Sequence, residues 1–342
     1  MATPAKTCNT CGREFYNEDD FLQDTTRWRV CERGNLWFNC GCNSTNMIIK
    51  GNFDWYSPEK TMSPGAGKLF NTLPALKELP HLPTSVMELQ QLIQQDEADS
   101  KKLADVSKKE PLIATNILKI ANNMMSSSGH TIESLEHAIS YIGQNVLGDV
   151  ILTASVGAFP FKTSTFDPEQ FWDSSLLCGK VCEYLANKFE TDAIPDEAYL
   201  AGALCNIGKV VSAICFPKVT DNIYGSVIDV KVLSSWRKAE KKLKAYEHTI
   251  LGEIAASFWG LPEYVLNASI SHHSRPETGA DQFCLNHIVA LGNQLTHWVQ
   301  LHPTRIDQQH MQALQKYMGL EEKQVEALAE EVYAVVKDSQ AA

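Results

Sequence analysis

Five of the ten cysteines lie within the first 42 residues and give the clearest chemical signal in the sequence. Cys8 and Cys11 are separated by two residues and followed by glycine, and Cys40 and Cys42 flank another glycine. A two-residue gap before glycine lets both sulfurs turn toward one tetrahedral ion. The spacing predicts a structural zinc with these four ligands; a redox or iron site, or no metal at all, are the alternatives.

Cys31 is the fifth cysteine of this group and the alternate ligand. Residues 25–31 and 36–40 resemble two short strands around a turn at 32–35, so Cys31 sits at the tip of a hairpin. Cys40 then lies roughly 13 Å away at the rise of a strand, which one zinc ion cannot span. Cys31 replaces Cys40 or Cys42 only if the strands are arranged otherwise. So small a β unit needs a staple such as a metal.

Histidines form a second candidate site in the later part of the chain. His248, the segment Trp259–Pro262 and the adjacent pair His272 and His273 fall on consecutive predicted helices. A histidine on an apolar helix face is more often a hydrogen-bonded core residue than a ligand, but an adjacent pair favours a former or partial metal site. We expect these histidines to converge on one pocket.

The elements that must position these residues are mainly helices. Apolar residues recur at spacings of three and four from residue 84 onward, after a β-rich segment with many aromatic residues. Helices are predicted at 84–93, 99–107, 112–124, 132–142, 171–189, 198–204, 234–245, 247–259, 264–272 and 321–337. The predicted domains are a cysteine-rich, zinc-ribbon-like module at 1–57, a linker at 58–75, a helical domain at 76–300 and a C-terminal helical extension at 301–342.

Composition limits the classes of partner. The net charge is −11, and residues 1–60 carry seven Lys/Arg against eight Asp/Glu, leaving 23 against 33 for the rest, so nucleic acid is an unlikely ligand. The one basic cluster is interpreted as a solvated helix face; its members are Arg237, Lys238, Lys241, Lys242 and Lys244. A nucleic-acid surface in the N-terminal module is the alternative use of Arg27, Arg29 and Arg33 beside Trp28 and Trp37.

No apolar run reaches the length of a membrane span and the first residues lack the apolar core of a secretion signal, so we expect a cytoplasmic protein. The five later cysteines are expected to act as small buried apolar groups. They are Cys178, Cys182, Cys205, Cys215 and Cys284.

Several short motifs occur in a fixed order between residues 76 and 300. They are Leu79-Pro80-x-Leu82-Pro83, Glu110-Pro111-Leu112 leading to Ile120-Ala121-Asn122, Ile132-Glu133-Ser134 leading to Ala138–Gly143, Phe171-Trp172, Ala201–Leu204 before Ile207-Gly208, Glu247-His248, Trp259–Pro262 and Ser271-His272-His273. Together they resemble the HDOD domain, the HD-related output domain of bacterial signalling proteins. The resemblance implies an all-helical fold, a regulatory role and descent from HD metal phosphohydrolases.

The resemblance also implies where metal ligands would lie, and most of those positions have changed. The first histidine falls at Ser174, the His-Asp pair at Cys205 and Asn206, and the late aspartate at Asn293. Only His248, His272 and His273 match. An amide supplies no negative charge and a thiol must first ionise, so two ions could not be held to activate a hydroxide.

We therefore expect a non-enzymatic signalling protein whose helical domain binds a protein partner or a small ligand. The alternative is a divergent metal-dependent phosphohydrolase acting on a nucleotide or cyclic dinucleotide through the three histidines and Cys205. A soft zinc ion held by these four residues is a further alternative for the pocket.

Overall fold

The computed structural model describes the chain in segments, of which the first six are short. They are residues 6–16, 20–21, 23, 25–30, 35–42, 45–48, 61–93, 99–125, 131–189, 191–228, 235–274, 283–300 and 307–341. The β-rich region comes first along the chain. Its strands are β1 (Lys6–Thr7), β2 (Glu14–Phe15), β3 (Thr25–Val30), β4 (Leu36–Cys40) and β5 (Thr45–Ile48).

The five strands form two antiparallel sheets. β1 pairs with β2, and β4 lies between β3 and β5. Thr25 pairs with Cys40 and Val30 pairs with Leu36, so Cys40 lies at the end of the hairpin opposite its turn. The two predicted strands are confirmed, whereas β1, β2 and β5 were not predicted because they are only two to four residues long. Cys31 lies outside the described residues.

The rest of the described chain is helical. Its first helices are α1 (Pro64–Thr72), α2 (Pro74–Lys77), α3 (Thr84–Ile93), α4 (Ser100–Ser107), α5 (Pro111–Met125), α6 (Leu135–Ile142) and α7 (Gln144–Gly157). The middle ones are α8 (Pro168–Lys188), α9 (Pro195–Leu204), α10 (Gly208–Cys215), α11 (Pro217–Ile228) and α12 (Trp236–Leu243). The last are α13 (His248–Trp259), α14 (Glu263–Ser271), α15 (Leu285–Gln300), α16 (Gln308–Met318) and α17 (Glu322–Ala341).

The helix boundaries follow local sequence signals. The side chains of Asp99, Ser134 and Asp167 cap α4, α6 and α8 by accepting a backbone N–H of the first turn. Gly143 ends α6 with a φ of 76°, and Gly260 follows α13 with a φ of 61°. All ten predicted helices are confirmed to within a few residues.

Seven of the described helices were not predicted: α1, α2, α7, α10, α11, α15 and α16. In α7 and α10 buried residues surround much of the helix, so the apolar stripe that signals an amphipathic helix is weak or short. Part of the segment predicted as a linker is helical, since α1 and half of α2 lie within it. The predicted domain boundaries stay predictions.

The chain forms two compact units. The first comprises residues 1–121, 132–159 and 254–262, and the second comprises residues 122–131, 160–253 and 263–342. In the first unit the indole N–H of Trp259 donates to the Pro80 carbonyl at 2.9 Å, which assigns Trp259 to packing. All the histidines of the candidate site lie in the second unit.

The second unit is built on close contacts between α8, α9 and α15. A Cβ at Gly202 would lie 2.6 Å from the sulfur of Cys182, and a Cβ at Gly292 would lie 2.5 Å from the same atom. Cys178, Cys182 and Cys205 are buried in this core, as expected of small apolar groups, whereas Cys215 and Cys284 are half-buried.

Within the described residues one helical stretch, Pro195–Cys215, is long and apolar enough to cross a membrane. In the structure, 94% of its apolar window is buried inside the protein. The stretch spans α9 and α10, so its apolar side chains serve the core of the second unit.

Asp221 on α11 clamps the segment that precedes α8. Its carboxylate accepts the backbone N–H groups of Ser164 and Thr165 at 2.8 Å and that of Phe166 at 3.0 Å. Partial burial would raise the pKa of Asp221, but these bonds and the Thr165 hydroxyl outweigh it and lower the pKa to about 2. The ionised carboxylate therefore stabilises the fold more than the protonated one.

We expect Asp221→Asn to lower the unfolding free energy by about 1 kcal/mol at neutral pH, because solvent screens this exposed clamp. A depressed pKa contributes stability that is present above the unfolded-state pKa of about 3.9 and is lost as the pH falls toward 2. Urea unfolding from pH 7 to pH 2 should show the difference between the two proteins shrinking below about pH 4. A difference that grew on acidification would contradict this.

Candidate functional site

The four predicted zinc ligands come together in the first unit. Their sulfur atoms all lie within 4.8 Å of one another. Cys8 and Cys42 are 3.8 Å apart, and Cys11 and Cys40 are 3.7 Å apart. With a Zn–S bond of about 2.3 Å, a tetrahedral site requires sulfurs about 3.8 Å apart. The cluster therefore has the dimensions of a site that could hold a tetrahedral metal ion.

The surroundings of the cluster also suit metal thiolates. Gly12 follows the first pair with a φ of 73°, and its N–H donates to the Cys8 carbonyl at 3.0 Å. The side-chain amide of Asn46 on β5 donates to the Cys8 sulfur at 3.5 Å. Burial raises the pKa of Cys40 to about 12, so without a cation this thiol stays protonated. A bound metal ion would supply the charge that ionises it.

The core beneath these strands is small and aromatic. Phe15, Phe21 and Phe38 meet edge to face at 4.4–5.8 Å between ring centres. Trp37 is buried, which favours packing over base stacking for this ring. Arg33 and the side chains of Arg27, Trp28 and Arg29 lie outside the described part of the chain, so the nucleic-acid alternative stays an untested prediction.

The three predicted histidines converge in the second unit. His248 Nε2 lies 3.1 Å from His272 Nε2 and 3.2 Å from His273 Nε2. His248 begins α13, and the other two follow the end of α14. Together they could hold a metal ion through three nitrogen atoms.

Glu240 on α12 stands behind His248 and was not predicted as part of the site. Its carboxyl oxygens lie 3.0 and 3.1 Å from His248 Nδ1, and Oε1 also accepts the backbone N–H of His248 and the indole N–H of Trp236, both at 2.9 Å. Carboxylates commonly orient metal-binding histidines in this way. Here the carboxyl is buried, and burial raises the pKa of Glu240 to about 7.

A proton can satisfy two of the three histidines, His248 and His272. His272 Nδ1 lies 3.0 Å from the Ala268 carbonyl, so this nitrogen donates and Nε2 is left as an acceptor. Suppose that one proton is shared between the Glu240 carboxyl and His248 Nδ1, and that His248 carries a second proton on Nε2. His248 Nε2–H then donates to His272 Nε2. The chain Glu240–His248–His272–Ala268 is then fully bonded. Either a bound cation or this proton explains how His248 Nε2 and His272 Nε2 can lie 3.1 Å apart.

The electrostatic field at the histidines opposes positive charge. Burial lowers the pKa of His248 well below 6.5, and the charges of Lys209 and Arg237 lower it further. Lys209 is the second residue of α10, is only 6% exposed and has its ammonium 4.7 Å from the centre of the Trp236 ring. Burial lowers the pKa of Lys209 to about 8, so it remains mostly charged at neutral pH. A fixed cation beside the histidines disfavours a second, divalent one.

The remaining predicted pocket residues meet on the same unit. Asn206 donates its side-chain amide to Asn293 at 2.8 Å and to the sulfur of Cys205 at 3.3 Å. The hydroxyl of Ser174 donates to Gln300 at 2.6 Å. Ser174, Asn206 and Asn293 line one cavity of about 30 Å³ together with Lys209. Asn206 thus contacts Cys205 and Asn293, Ser174 shares a cavity with the two asparagines, and none of the four supplies a carboxylate.

The prediction that the basic cluster is a solvated helix face is confirmed for four of its five residues. Lys238, Lys241, Lys242 and Lys244 are exposed, as a solvated face requires. Arg237 is half-buried, and Glu240 on the inner face is buried against His248. The only feature of the sequence that indicated this buried face is the four-residue spacing of Trp236 and Glu240, which places both on the same side of a helix.

Comparison with known proteins agrees with this fold. The model of the HDOD domain matches residues 79–276. A relative, an "Uncharacterized protein" of Treponema pallidum (strain Nichols), is 25% identical over 228 residues, which is 64% of this chain and 42% of the relative. The chain thus spans less than half the length of that relative.

Three solved structures share the fold. An HDOD domain protein of unknown function from Geobacter sulfurreducens has a TM-score of 0.56 at 19% identity, with 80% of this chain and 96% of that one covered. A "Putative phosphohydrolase" from Shewanella amazonensis SB2B has a TM-score of 0.54 at 20% identity, covering 77% and 95%. A "Putative signal transduction protein" from Marinobacter aquaeolei VT8 has a TM-score of 0.54 at 17% identity, covering 90% and 75%.

The match covers more than half of the sequence and agrees with the helices and the pocket described above. The chain belongs to the HDOD family. Its mainly α, multi-helical fold is preceded by a small β-rich region that carries the cysteine cluster.

Proposed function

We propose that this protein is a bacterial signalling protein that regulates by binding and does not hydrolyse phosphate esters. Its second unit would bind a protein partner or a small ligand such as a nucleotide or cyclic dinucleotide. The cysteine cluster would hold one structural zinc ion through Cys8, Cys11, Cys40 and Cys42. Four thiolates leave no open coordination position, so this zinc would stabilise and not catalyse.

The observation that carries the proposal is the pairing of Asn206 with Asn293. The two side chains hydrogen-bond to each other at positions where, by resemblance, carboxylates would hold metal ions. The nearby charge comes from Lys209, which lies in the lining of the same small cavity. Amides beside a fixed ammonium do not neutralise two divalent ions, and hydrolysis through a metal-activated water requires such ions.

A divergent phosphohydrolase is the second candidate, and one observation favours it. Nitrogen atoms of three histidines converge. The central one is His248, which lies within 3.2 Å of the other two and is hydrogen-bonded to Glu240. Three histidines can hold a single zinc with an open position for water. The names of two similar structures differ on this point, one being called a "Putative phosphohydrolase" and the other a "Putative signal transduction protein".

We expect no phosphodiesterase or phosphomonoesterase turnover in buffers that contain Mn²⁺, Zn²⁺ or Fe²⁺, with p-nitrophenyl esters as substrates. Any background release of p-nitrophenol should be unchanged in His248→Asn, which keeps a hydrogen-bonding side chain but removes the central nitrogen. Metal-dependent release that falls about 100-fold or more in that variant would establish the hydrolase instead.

A further inference from the structure

The second unit contains a cavity of about 250 Å³ beside the histidines. One of its walls is aromatic. Phe166 lies at the centre of this wall, and its ring is 5.6 Å from that of Phe171, 5.4 Å from Tyr224 and 5.3 Å from Trp236. The wall offers an apolar surface suited to a flat ring.

Lys209 brings a buried charge to the same cavity. Among the described residues its ammonium forms no hydrogen bond or ion pair; it lies against the Trp236 ring and interacts with the Glu240 carboxyl only at longer range. Burying an unpaired ammonium costs several kcal/mol. A ligand anion would supply the missing partner.

Other donors on the lining are also unsatisfied within the described part of the chain. The Nε–H of Arg237 is a buried donor without a hydrogen-bond partner, and the buried Nδ1 of His273, also without one, donates in the tautomer that leaves its Nε2 unprotonated. The two carboxylates of the lining are already engaged as helix caps: Asp167 accepts the Gln170 N–H at 2.9 Å, and Asp307 accepts the His310 N–H at 3.2 Å. Asp307 is also 3.8 Å from Arg237. The excess of unmet donors favours an anionic ligand.

We infer that this cavity binds the phosphate monoester of a flat ring compound without a metal ion, with the ring on the aromatic wall and the phosphate at Lys209 and Arg237. The inference rests on the proposed function, because it requires binding without hydrolysis. Ligand pockets commonly measure about 300–1,000 Å³, so a cavity of this size takes one ring and one phosphate, and a cyclic dinucleotide would place only one such part in it.

Isothermal titration of the full-length, zinc-containing protein with phenyl phosphate tests this, with no metal added. We expect saturable binding, and binding at least about 10-fold weaker for phenol and for inorganic phosphate, since each lacks one half of the ligand. Lys209→Met should weaken binding about 10- to 100-fold, the usual loss for a hydrogen bond to a charged group. Arg237→Met is a second test at a less buried position. Lys218→Met, on exposed α11 surface, should bind like the unchanged protein.

Titration with phenyl phosphate also distinguishes a failure of this inference from a failure of the proposed function. No saturable binding, or equal affinity in Lys209→Met and the unchanged protein, would overturn this inference and leave the proposed function standing. Steady release of phenol from phenyl phosphate would overturn the proposed function as well. Binding that appears only when a divalent ion is added would contradict the metal-free site.

Discussion

The Gly208→Ala variant is expected to lose about 3 kcal/mol or more of its unfolding free energy. A Cβ at this position would lie 1.8 Å from the His248 carbonyl oxygen and 2.6 Å from the backbone nitrogen of Gly252. Both are backbone atoms, so no side-chain rotation can relieve the overlap. The start of α10 must move away from α13, and His248 moves with it.

Chemical denaturation of purified protein measures this loss, and Gly225→Ala is the matched control. Gly225 is also helical, but a Cβ there would meet nothing within 4 Å. Alanine is a better helix former than glycine by about 1 kcal/mol, so the control should be unchanged or slightly more stable. Equal stability of Gly208→Ala and Gly225→Ala would show that the two helices are not packed as described.

Replacing Cys8 and Cys40 together with serine should unfold the β-rich region while the helical part of the chain stays folded. These are the two buried members of the cluster, and each belongs to one of the two close sulfur pairs. The binding free energy of a structural zinc is about 10–16 kcal/mol, and in a small module it is folding free energy. The aromatic core around Phe38 is too small to replace that contribution.

Limited proteolysis followed by mass spectrometry should detect the unfolding of the β-rich region as rapid cleavage within the first 48 residues of the variant. Cys215→Ser is the control, because Cys215 is half-buried and lies outside the cluster. A chelator should reproduce the cleavage pattern in the unchanged protein. If the double variant resisted proteolysis as well as Cys215→Ser does, the cluster would not be what holds this region together.

The sequence was sufficient for elements that carry their own local signals. Apolar spacing and the stop at Gly143 predicted a helix at 132–142, and α6 ends where predicted but begins three residues later, after the cap at Ser134. The cysteine spacing predicted four sulfurs that do converge, although Cys8 and Cys11 lie between strands of a different sheet from the one that contains Cys40. The grouping of Asn206 with Asn293 followed from the family resemblance and not from spacing, since 87 residues separate them.

The parts that could not be predicted depend on tertiary contacts. Glu240 stands in a run of lysines, and only the packing of α12 against His248 turns it into a buried partner of the site. Lys209 directly follows a glycine in a short segment that also reads as an ordinary helix start. Its significance comes from burial beside the aromatic cavity, which sequence spacing does not encode.

Counting metal ions in three proteins tests the central claim, that the cysteine cluster holds a structural zinc ion and the helical pocket holds no catalytic metal ion. Elemental analysis should find one zinc per chain in the unchanged protein. That zinc should be lost in the Cys8→Ser, Cys40→Ser double variant and retained in a His248→Asn, His273→Asn double variant. A metal ion that remains without the cysteines and disappears without the histidines would contradict the account.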